Sequence, residues 1–225
     1  MEMKEESHRI IGIDEVGRGA LAGPVVVAAA AVSQSAQRGM RSVEKKIGKL
    51  KDSKKLSPRR RAAWLEYFKR HSSIVFVIAR VYPHGIEKMN ISKAANKAAL
   101  KAFEKVLAIT HVSFSASQVY LDGGLYLGNK KSRLRKGNFK KEIRNVKTVI
   151  KGDEKITAVK IASIAAKVSR DNYMCRLAKK YPEYGFDIHK GYGTKAHFGA
   201  IRKHGPSSVH RRSFLGSQMR KQKRA

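Results

Sequence analysis

The stretch GIDEVGRGALAGP, residues 12–24, decides how the rest of this chain is interpreted. Its apolar beginning leads into two adjacent carboxylates, Asp14 and Glu15, which are followed by a glycine–arginine–glycine turn and a second apolar run. Moving a charge from water into an apolar environment is costly unless the charge is paired, so these side chains require compensation. The first question that the sequence raises is what compensates them.

The segments around this turn have the composition of buried strands. RIIGID, residues 9–14, and PVVVAAAAVS, residues 24–33, predict the first hairpin of an antiparallel edge. Short apolar runs predict further strands over residues 72–81, 118–122 and 146–150. The helical spacing of apolar residues predicts helices over 58–71, 85–109 with a break near Asn90, 158–180 and 195–204.

The organisation of the chain is that of one α/β domain. No internal repeat and no convincing linker interrupts the pattern over residues 9–215. Residues 1–8 and the basic tail, residues 216–225, are expected to be disordered. Residues 37–55 are basic and weakly patterned and predict a loop. The most basic segment, residues 127–144, is predicted to form an exposed loop or hairpin. We expect this segment to provide additional contacts with nucleic acid.

The charge of the chain predicts its class of partner. The 225 residues include 49 Lys and Arg against 17 Asp and Glu, which gives a formal net charge of +32. A field of this sign attracts polyanions, and we expect a nucleic acid rather than an anionic membrane. The longest apolar stretch, residues 20–32, is too short to span a bilayer, and the polar N-terminus does not resemble a signal peptide.

The single cysteine argues against a disulfide-stabilised protein and against a cysteine-dependent enzyme. Cys175 excludes an internal disulfide framework, and its place in a helical pattern predicts a small packing residue rather than a nucleophile. The chain is 42% apolar, which is enough for a substantial core. A soluble cytoplasmic protein, monomeric and without a membrane partner, is the simplest expectation.

The carboxylates lie where the predicted strands end. Asp14 and Glu15 end the first strand, Asp122 ends a strand before two glycines, and Asp153 follows VKTVI shortly before a long helix. The carboxyl ends of strands in open α/β sheets meet at the edge where ligands bind, so these four residues are expected to converge. Because neighbours on a regular strand point to opposite faces, Asp14 and Glu15 can share a site only at a strand end or a bulge.

Such a carboxylate cluster predicts a site for hard cations. Neighbouring carboxylates need a countercharge to remain ionised, and oxygen-only ligands suit Mg²⁺ or Mn²⁺. Two such ions can clamp an in-line displacement at phosphorus, which is the chemistry of a metal-dependent nuclease. Structural alternatives stay open: Asp14 as a turn cap, Asp122 as the start of the Gly–Gly turn, and Asp153 near a helix N-terminus.

These residues lie in motifs that resemble those of a known family. GIDEVGRGALAGPVVVAA, beginning at Gly12, resembles the signature of the prokaryotic type 2 ribonucleases H, or ribonuclease HII. The resemblance extends over about residues 9–215. Six further motifs match in the family's order: DSKKLS (52–57), YLDGG (120–124), KGDEK (151–155), ASIAAKVSRD (162–171), GYGTKAH (191–197) and HRRSF (210–214).

The resemblance implies a ribonuclease H-like α/β fold, with a mixed five-stranded sheet flanked by helices and a helical C-terminal part. It implies endonucleolytic cleavage of RNA in RNA–DNA hybrids and at single ribonucleotides in duplex DNA, leaving 3′-hydroxyl and 5′-phosphate ends. It also implies that two divalent ions, Mg²⁺ or Mn²⁺, are held by the same four carboxylates, which would be catalytic: Asp14, Glu15, Asp122 and Asp153.

The resemblance also implies roles in substrate binding. Gly17, Arg18 and Gly19 would approach a ribose, whose 2′-hydroxyl distinguishes RNA from DNA, and glycine permits this approach because it lacks a Cβ. Tyr192 resembles a tyrosine that stacks on the sugar at the ribonucleotide–deoxyribonucleotide junction, with an aromatic lid on the core as the alternative. Phosphate contacts, or else merely solvated positions, are expected of Lys54, Lys55, Lys190 and Arg211.

Other polar residues are interpreted as structural. Asp171 is expected to form an ion pair, and Asp52 to cap a turn. The four C-terminal histidines have no accompanying cysteines and no finger spacing, so we do not expect zinc, and proton transfer by one of them stays open. These histidines are His189, His197, His204 and His210.

Two rival functions stay open. A ribonuclease HIII would perform similar chemistry, but this sibling usually carries an additional N-terminal domain and lacks the turn formed here by Gly17, Arg18 and Gly19. A non-catalytic basic RNA-binding protein suits the net charge of +32. It gives no reason for carboxylates at three strand ends, and divalent ions would stabilise only a chain with a real metal site.

Overall fold

A computed structural model describes residues 9–112, 117–127 and 146–216. One sheet contains the strands β1 (Arg9–Val16), β2 (Val25–Ser33), β3 (Ile74–Val81), β4 (Gln118–Asp122) and β5 (Val146–Val149). The helices of the described residues include α1 (Gln34–Ile47), α2 (Pro58–Arg70), α3 (Pro83–Met89), α4 (Ile91–Thr110), α5 (Gly152–Lys155), α6 (Thr157–Lys180), α7 (Phe186–His189) and α8 (Lys195–His204).

The sheet is mixed, and β1 lies at its centre. Its strand order is β3-β2-β1-β4-β5. The pairs β1–β2 and β2–β3 are antiparallel, whereas β1–β4 and β4–β5 are parallel. The C-terminal ends of β1, β4 and β5 therefore meet at one edge of the sheet.

Helices cover both faces of the sheet, which explains why β2 is apolar at nearly every position. All nine residues of β2 are buried. Val25, Val27 and the residues that alternate with them pack toward α4, whereas Val26, Ala28 and their counterparts pack toward α2 and α6. A strand that is buried on both faces has no polar side to display, so its sequence reads as a continuous apolar run.

Helix α6 approaches β1 more closely than a side chain on the strand would permit. A Cβ on Gly12 would lie 2.2 Å from both the carbonyl carbon of Ala158 and the backbone nitrogen of Val159. The contacting face of α6 carries small residues, among them Ala158, Ala162 and Ala165. This packing brings Ser163 within hydrogen-bonding reach of Asp14.

A third apolar cluster forms the C-terminal part. Leu21 and Ala22 pack there with Met174, Phe186 and Phe198, so the apolar residues that follow the opening turn belong to this cluster rather than to the sheet. The amides of Leu21 and Ala22 donate to the carbonyl of Gly191 at 2.8 and 3.2 Å. The turn between β1 and β2 is thereby joined to the C-terminal segment.

Most of the predicted elements are confirmed, as is the α/β class with a mixed five-stranded sheet. The β1–β2 hairpin is antiparallel as predicted, although β1 is central rather than at an edge. The predicted loop over residues 37–55 is wrong, because α1 occupies most of it. Its apolar residues, Ala36, Met40, Val43 and Ile47, have helical spacing but are separated by so many charged residues that the pattern is weak.

Two further predictions have different outcomes. Cys175 lies in a helix as predicted, but its side chain is exposed and does not serve as a packing residue. Nearly all of the basic segment 127–144 lies outside the described residues, as do residues 1–8 and 217–225. None of the helices in the described part of the chain has the length and hydrophobicity needed to cross a bilayer.

Replacing Gly12 by alanine tests the contact between α6 and β1. The new methyl group would overlap the backbone of α6, and such overpacking costs about 1–3 kcal/mol. We expect Gly12→Ala to lower the free energy of unfolding by at least this amount in urea titrations.

The matched control is Gly39→Ala in α1, where no described atom lies within 4 Å of the added Cβ. This change is expected to leave stability unchanged or to raise it by up to about 1 kcal/mol, because alanine favours helix over glycine. Equal free energies of unfolding for the two variants would contradict the close approach at Gly12.

Candidate active site

The carboxylates predicted from the sequence lie at the edge where the parallel strands end. Asp14 and Glu15 are close to the end of β1, Asp122 is the last residue of β4, and Asp153 lies in α5 directly after β5. Asp14 is repelled by Glu15 and by Asp122, and Asp122 also acts on Glu15 and Asp153. The structure therefore brings the four residues into one electrostatic cluster.

Asp14 and Glu15 reach this cluster from opposite faces of β1. The ladder with β2 is regular through both residues, with Asp14 opposite Ala28 and Glu15 opposite Val27. Asp14 faces α6, where Ser163 lies close enough to affect its pKa, whereas Glu15 extends to Arg18 on the other face. Their cooperation therefore depends on the nearby strand end, and no bulge is involved.

Each carboxylate is engaged by a local donor. The amide of Glu15 donates to Asp14 Oδ1 at 2.7 Å, and the amide of Gly152 donates to Asp122 Oδ1 at 2.9 Å. Arg18 Nη1 lies 3.3 Å from Glu15 Oε1. In these orientations, no three His, Cys, Asp or Glu side chains of the described ranges form a group that could hold a metal ion.

Burial makes the ionised state of the cluster unfavourable. Burial, followed by repulsion from Glu15 and Asp122, raises the pKa of Asp14 well above its usual value, although Ser163 opposes the change. Burial also raises the pKa of Glu15, against the influence of Arg18. The pKa of Asp153 is raised by burial and then by its acidic neighbours. The site therefore stabilises added positive charge.

The donor set fits a hard divalent cation. Glu15 Oε2 is buried and has no hydrogen-bond partner among the described residues, so one carboxylate oxygen at the edge stays unsatisfied. The predicted ligands supply oxygen atoms only, which is the donor type that Mg²⁺ and Mn²⁺ prefer. A cation at this edge would satisfy the free oxygen and relieve the repulsion.

A fifth carboxylate, Asp52, also belongs to the cluster, which the sequence did not predict. It caps the short turn Ser53–Lys55 as expected, accepting from the amide of Lys54 at 3.1 Å. It is also buried, and after burial itself it is the leading cause of the raised pKa of Asp153: its charge repels the ionised Asp153, and its carboxylate can accept a hydrogen bond from the protonated form. About one hundred residues separate the two in sequence, and only the packing of the Asp52 turn against α6 brings them together.

The two predicted phosphate-binding lysines lie beside this cluster. Lys54 Nζ is 3.7 Å from Asp153 Oδ2, and the side chain is largely exposed. Burial acts to lower the pKa of Lys54, but the surrounding carboxylates, Asp52 and Asp153 foremost, raise it overall. Lys55 instead pairs with Glu154 at 3.0 Å. Contact of either lysine with phosphate stays a prediction.

The glycine–arginine–glycine turn is shaped by contacts of different kinds. Gly17 has a φ of +88°, and an added Cβ would lie 2.2 Å from Arg170 Nε. Arg18 donates to Glu15, to the carbonyl of Gly124 at 2.7 Å and to Ser92 Oγ at 3.3 Å. Its guanidinium group is thus turned toward the carboxylate edge.

Two buried arginines, neither of which was predicted to have this role, donate to backbone carbonyls of this turn and of the residues that follow it. Arg170 donates to the carbonyls of Pro24 and Ala22 at 3.0 and 3.1 Å. Arg211 donates to the carbonyls of Gly23 and Arg18, at 2.8 Å for Arg18. Both side chains have 0% exposure. The predicted phosphate contact for Arg211 is therefore wrong, because its guanidinium group is enclosed by backbone carbonyls.

The remaining predicted residues have varied surroundings. Tyr192 is half-buried, with its ring centroid 5.2 Å from the Arg170 guanidinium carbon. Lys190 donates to Cys175 Sγ and to the carbonyl of Asp187, so its side chain is already occupied. The ion-pair prediction for Asp171 is confirmed: its partners are Lys167 at 2.9 Å and Arg61 at 3.6 Å.

Comparison with solved structures defines the class of protein as one with the ribonuclease H-like fold. The crystal structure of ribonuclease H2 from Pyrococcus horikoshii OT3 matches with a TM-score of 0.67 and 25% identity, over 91% of this chain and 93% of that one. A ribonuclease HIII solved in complex with Mn²⁺ shares the fold with a TM-score of 0.59 and 22% identity, over 90% of this chain and 65% of that one.

The family follows from sequence. The family model for Ribonuclease HII matches residues 11–216. Ribonuclease HII from Chlamydia pneumoniae is 38% identical over 212 residues, which are 94% of this chain and 86% of the relative. The chain belongs to the ribonuclease HII family, whose members are ribonuclease H enzymes and therefore hydrolases. The family assignment supports neither of the two rival functions, which were a ribonuclease HIII and a non-catalytic RNA-binding protein.

The buried charge of Asp14 predicts a stability change in metal-free buffer. A carboxyl group with a raised pKa in the folded chain binds its proton more tightly there, so stability falls as the pH rises through the unfolded value toward the folded one. Asp14→Asn removes this cost, and we expect the variant to gain about 1–3 kcal/mol at pH 7 in EDTA.

The gain should shrink as the pH is lowered toward 4, because the wild-type carboxyl then becomes protonated. Urea titrations at a series of pH values measure the difference between the two proteins. Glu104→Gln, at an exposed position of α4, is the control for loss of one carboxylate and should show no comparable gain. A destabilised Asp14→Asn at pH 7 would contradict the electrostatic account.

Proposed function

We propose that this protein is an endonuclease that hydrolyses the RNA strand of RNA–DNA hybrids and nicks duplex DNA on the 5′ side of a single ribonucleotide. The products would carry 3′-hydroxyl and 5′-phosphate ends. The observation that carries the proposal is the convergence of Asp14, Glu15, Asp122 and Asp153 at the end of three parallel strands, in a chain with a net charge of +32. Membership of the ribonuclease HII family supports it.

The four carboxylates would hold two divalent ions, Mg²⁺ or Mn²⁺. When bound, such ions activate the attacking water and stabilise the leaving oxygen of an in-line displacement. The residues of the chain contribute the negative charge that binds the ions and the burial that strengthens this electrostatic interaction. The unsatisfied Glu15 Oε2 and the raised pKa values of Asp14, Glu15 and Asp153, all with burial as the leading cause, support this assignment.

Lys54 and Arg18 would exchange partners when ions and substrate bind. In the present structure they neutralise Asp153 and Glu15. Ion binding would release both side chains, and each would then be free to contact a phosphate of the nucleic acid. Arg18 is suited to this because its guanidinium group can form two parallel hydrogen bonds to phosphate oxygens.

The glycine–arginine–glycine turn would recognise the ribose. The positive φ of Gly17 and the close approach of Arg170 explain why a glycine occupies this position, but no contact within the described structure explains the glycine at position 19. Gly19 is exposed, its φ is not positive, and no described atom lies within 4 Å of the position of an added Cβ. An approaching sugar with its 2′-hydroxyl would account for a glycine here, and Tyr192 would stack on the sugar at the junction.

Cleavage of a labelled DNA duplex with one embedded ribonucleotide tests the proposed reaction. With Mg²⁺ or Mn²⁺ we expect a single nick on the 5′ side of the ribonucleotide, and no nick in EDTA. Asp14→Asn should lose the activity by at least about 1,000-fold, since the ions lose a charged ligand. Glu104→Gln, prepared in parallel, should retain it.

Gel mobility of the labelled strands distinguishes 3′-hydroxyl from 3′-phosphate ends. Tight binding of the hybrid without cleavage in any divalent ion would overturn the proposal and leave a polyanion-binding protein.

Gly19→Ala tests recognition of the ribose by the turn. Because the added methyl group meets no described atom, the melting temperature should be unchanged. Cleavage at a single ribonucleotide should fall by about tenfold or more, which corresponds to about 1.4 kcal/mol of transition-state stabilisation. Gly39→Ala provides the control for a glycine-to-alanine change away from the site. Full activity of Gly19→Ala would remove the proposed approach of the sugar to this residue.

A further inference from the structure

Three histidine rings lie together behind Tyr192, outside the carboxylate cluster. The rings of His189 and His197 stack with centroids 4.3 Å apart, and His197 Nε2 lies 3.1 Å from His210 Nε2. His197 and His210 are buried, with 0% and 3% exposure. The sequence predicts no zinc site at these histidines, and it leaves proton transfer by one of them open.

The hydrogen bonds of these rings fix their tautomers. The amide of Ser207 can only donate, and it points at His210 Nδ1 from 3.0 Å, so this nitrogen accepts and the proton of neutral His210 lies on Nε2. His210 Nε2 therefore donates to His197 Nε2. The proton of His197 must then lie on Nδ1, which donates to the carbonyl of Tyr192 at 2.9 Å. The bonds run in one direction, from Ser207 to Tyr192.

The tautomer of His189 follows from its hydrogen bonds in the same way. Its Nδ1 accepts from the amide of Gly191 at 3.2 Å, and its Nε2 donates to the carbonyl of Tyr184 at 2.6 Å. A second proton on His197 or His210 would place an N–H against another N–H. Burial, the leading cause, lowers the pKa of both His197 and His210 to about 4.

The groups around the rings keep them uncharged. The aromatic rings of Phe186 and Tyr184 pack against His210, and Phe186 also packs against His197. The nearby charges, Asp187 and Lys190, act on His189 in opposite directions. Among the described residues, these histidines take part in no ion pair.

These bonds hold Tyr192 from both sides of its main chain. Its carbonyl accepts from His197 Nδ1 and from the amide of Thr194, and its amide donates to the carbonyl of His189 at 3.0 Å. Its ring lies over the guanidinium group of Arg170. The backbone of Tyr192 is therefore fixed by the histidines, and the ring by the arginine that also braces the glycine–arginine–glycine turn.

We propose that His197 and His210 are positioning residues for Tyr192: their one-way hydrogen-bond chain sets the place of the tyrosine ring at the sugar of the scissile ribonucleotide. The inference rests on the proposed function, because it assumes that Tyr192 stacks on the substrate. A displacement of about 1 Å at such a group can cost about 100-fold in rate. Neither histidine contacts substrate or metal ions in this assignment.

The tautomers can be measured without substrate. Long-range ¹H–¹⁵N NMR correlations of the wild-type protein at pH 7 distinguish the two neutral forms of each imidazole. We expect the Nδ1–H form for His197 and the Nε2–H form for His189 and His210. The exposed His204 serves as the reference ring. An Nε2–H form for His197, or a charged His197 or His210 at this pH, would overturn the hydrogen-bond chain.

Two conservative variants of His197 separate positioning from general packing. The amide nitrogen of asparagine occupies nearly the place of Nδ1, so His197→Asn keeps a donor for the Tyr192 carbonyl and loses the bond to His210. Glutamine reaches the place of Nε2, so His197→Gln keeps the His210 side and loses the donor to Tyr192. Each variant loses one buried bond, and comparable falls in melting temperature are expected.

Their activities should differ on the duplex with one embedded ribonucleotide. We expect His197→Asn to retain kcat within about threefold and His197→Gln to lose about 10- to 100-fold in kcat. KM should change little, because phosphate contacts dominate affinity. His204→Gln is the control at an exposed histidine. Equal losses for the asparagine and glutamine variants would overturn the proposal.

A double-mutant cycle shows whether the effect passes through Tyr192. His197→Gln should add no further loss when Tyr192 is already alanine, because the ring to be positioned is absent. Additive losses, or full activity of Tyr192→Ala alone, would overturn the positioning role. If the wild-type protein does not cleave, the proposed function fails, whereas the NMR experiment still decides the hydrogen-bond chain.

Discussion

The contact between α6 and the central strand β1 sets most of the geometry of this molecule. Gly12 lets the backbone of the helix lie directly on the strand. Because α6 has 24 residues, it also carries Ser163 to Asp14, Arg170 to the turn after β1, and Met174 into the C-terminal cluster. One rigid helix therefore relates the carboxylate edge, the glycine–arginine–glycine turn and the C-terminal part.

The turn after β1 is stabilised by buried positive charge rather than by a carboxylate. Arg170 and Arg211 satisfy its carbonyls, and hydrogen bonds from charged donors contribute about 1.5–3 kcal/mol each. Burying two positive charges next to each other is unfavourable, and this cost is reflected in Arg211, whose pKa is lowered to about 9 by burial and then by the neighbouring Arg170. With the carbonyls turned inward, Gly19 is left on the open side of the turn.

The compensation of Asp14 and Glu15 has two parts. Arg18 and Lys54 supply cations from the chain itself, but they contact Glu15 and Asp153 only from the rim. Asp14 is buried and accepts a hydrogen bond from the amide of Glu15, but it forms no ion pair among the described residues. The acidic edge is thus incompletely neutralised, even though the chain as a whole is strongly basic, and this difference draws cations to one place.

The sequence by itself determined the strands and most helices, because periodic burial and helix-ending residues are local properties. It also predicted that the four carboxylates converge, since each lies at the end of an apolar run or within a few residues of it. It missed α1, where charged residues obscured the apolar spacing. Only the tertiary structure decided that Asp52 joins Asp153, that Arg211 is enclosed, and that His210 and His197 lead to Tyr192. These contacts join segments far apart in the chain or depend on side-chain direction, which no local pattern encodes.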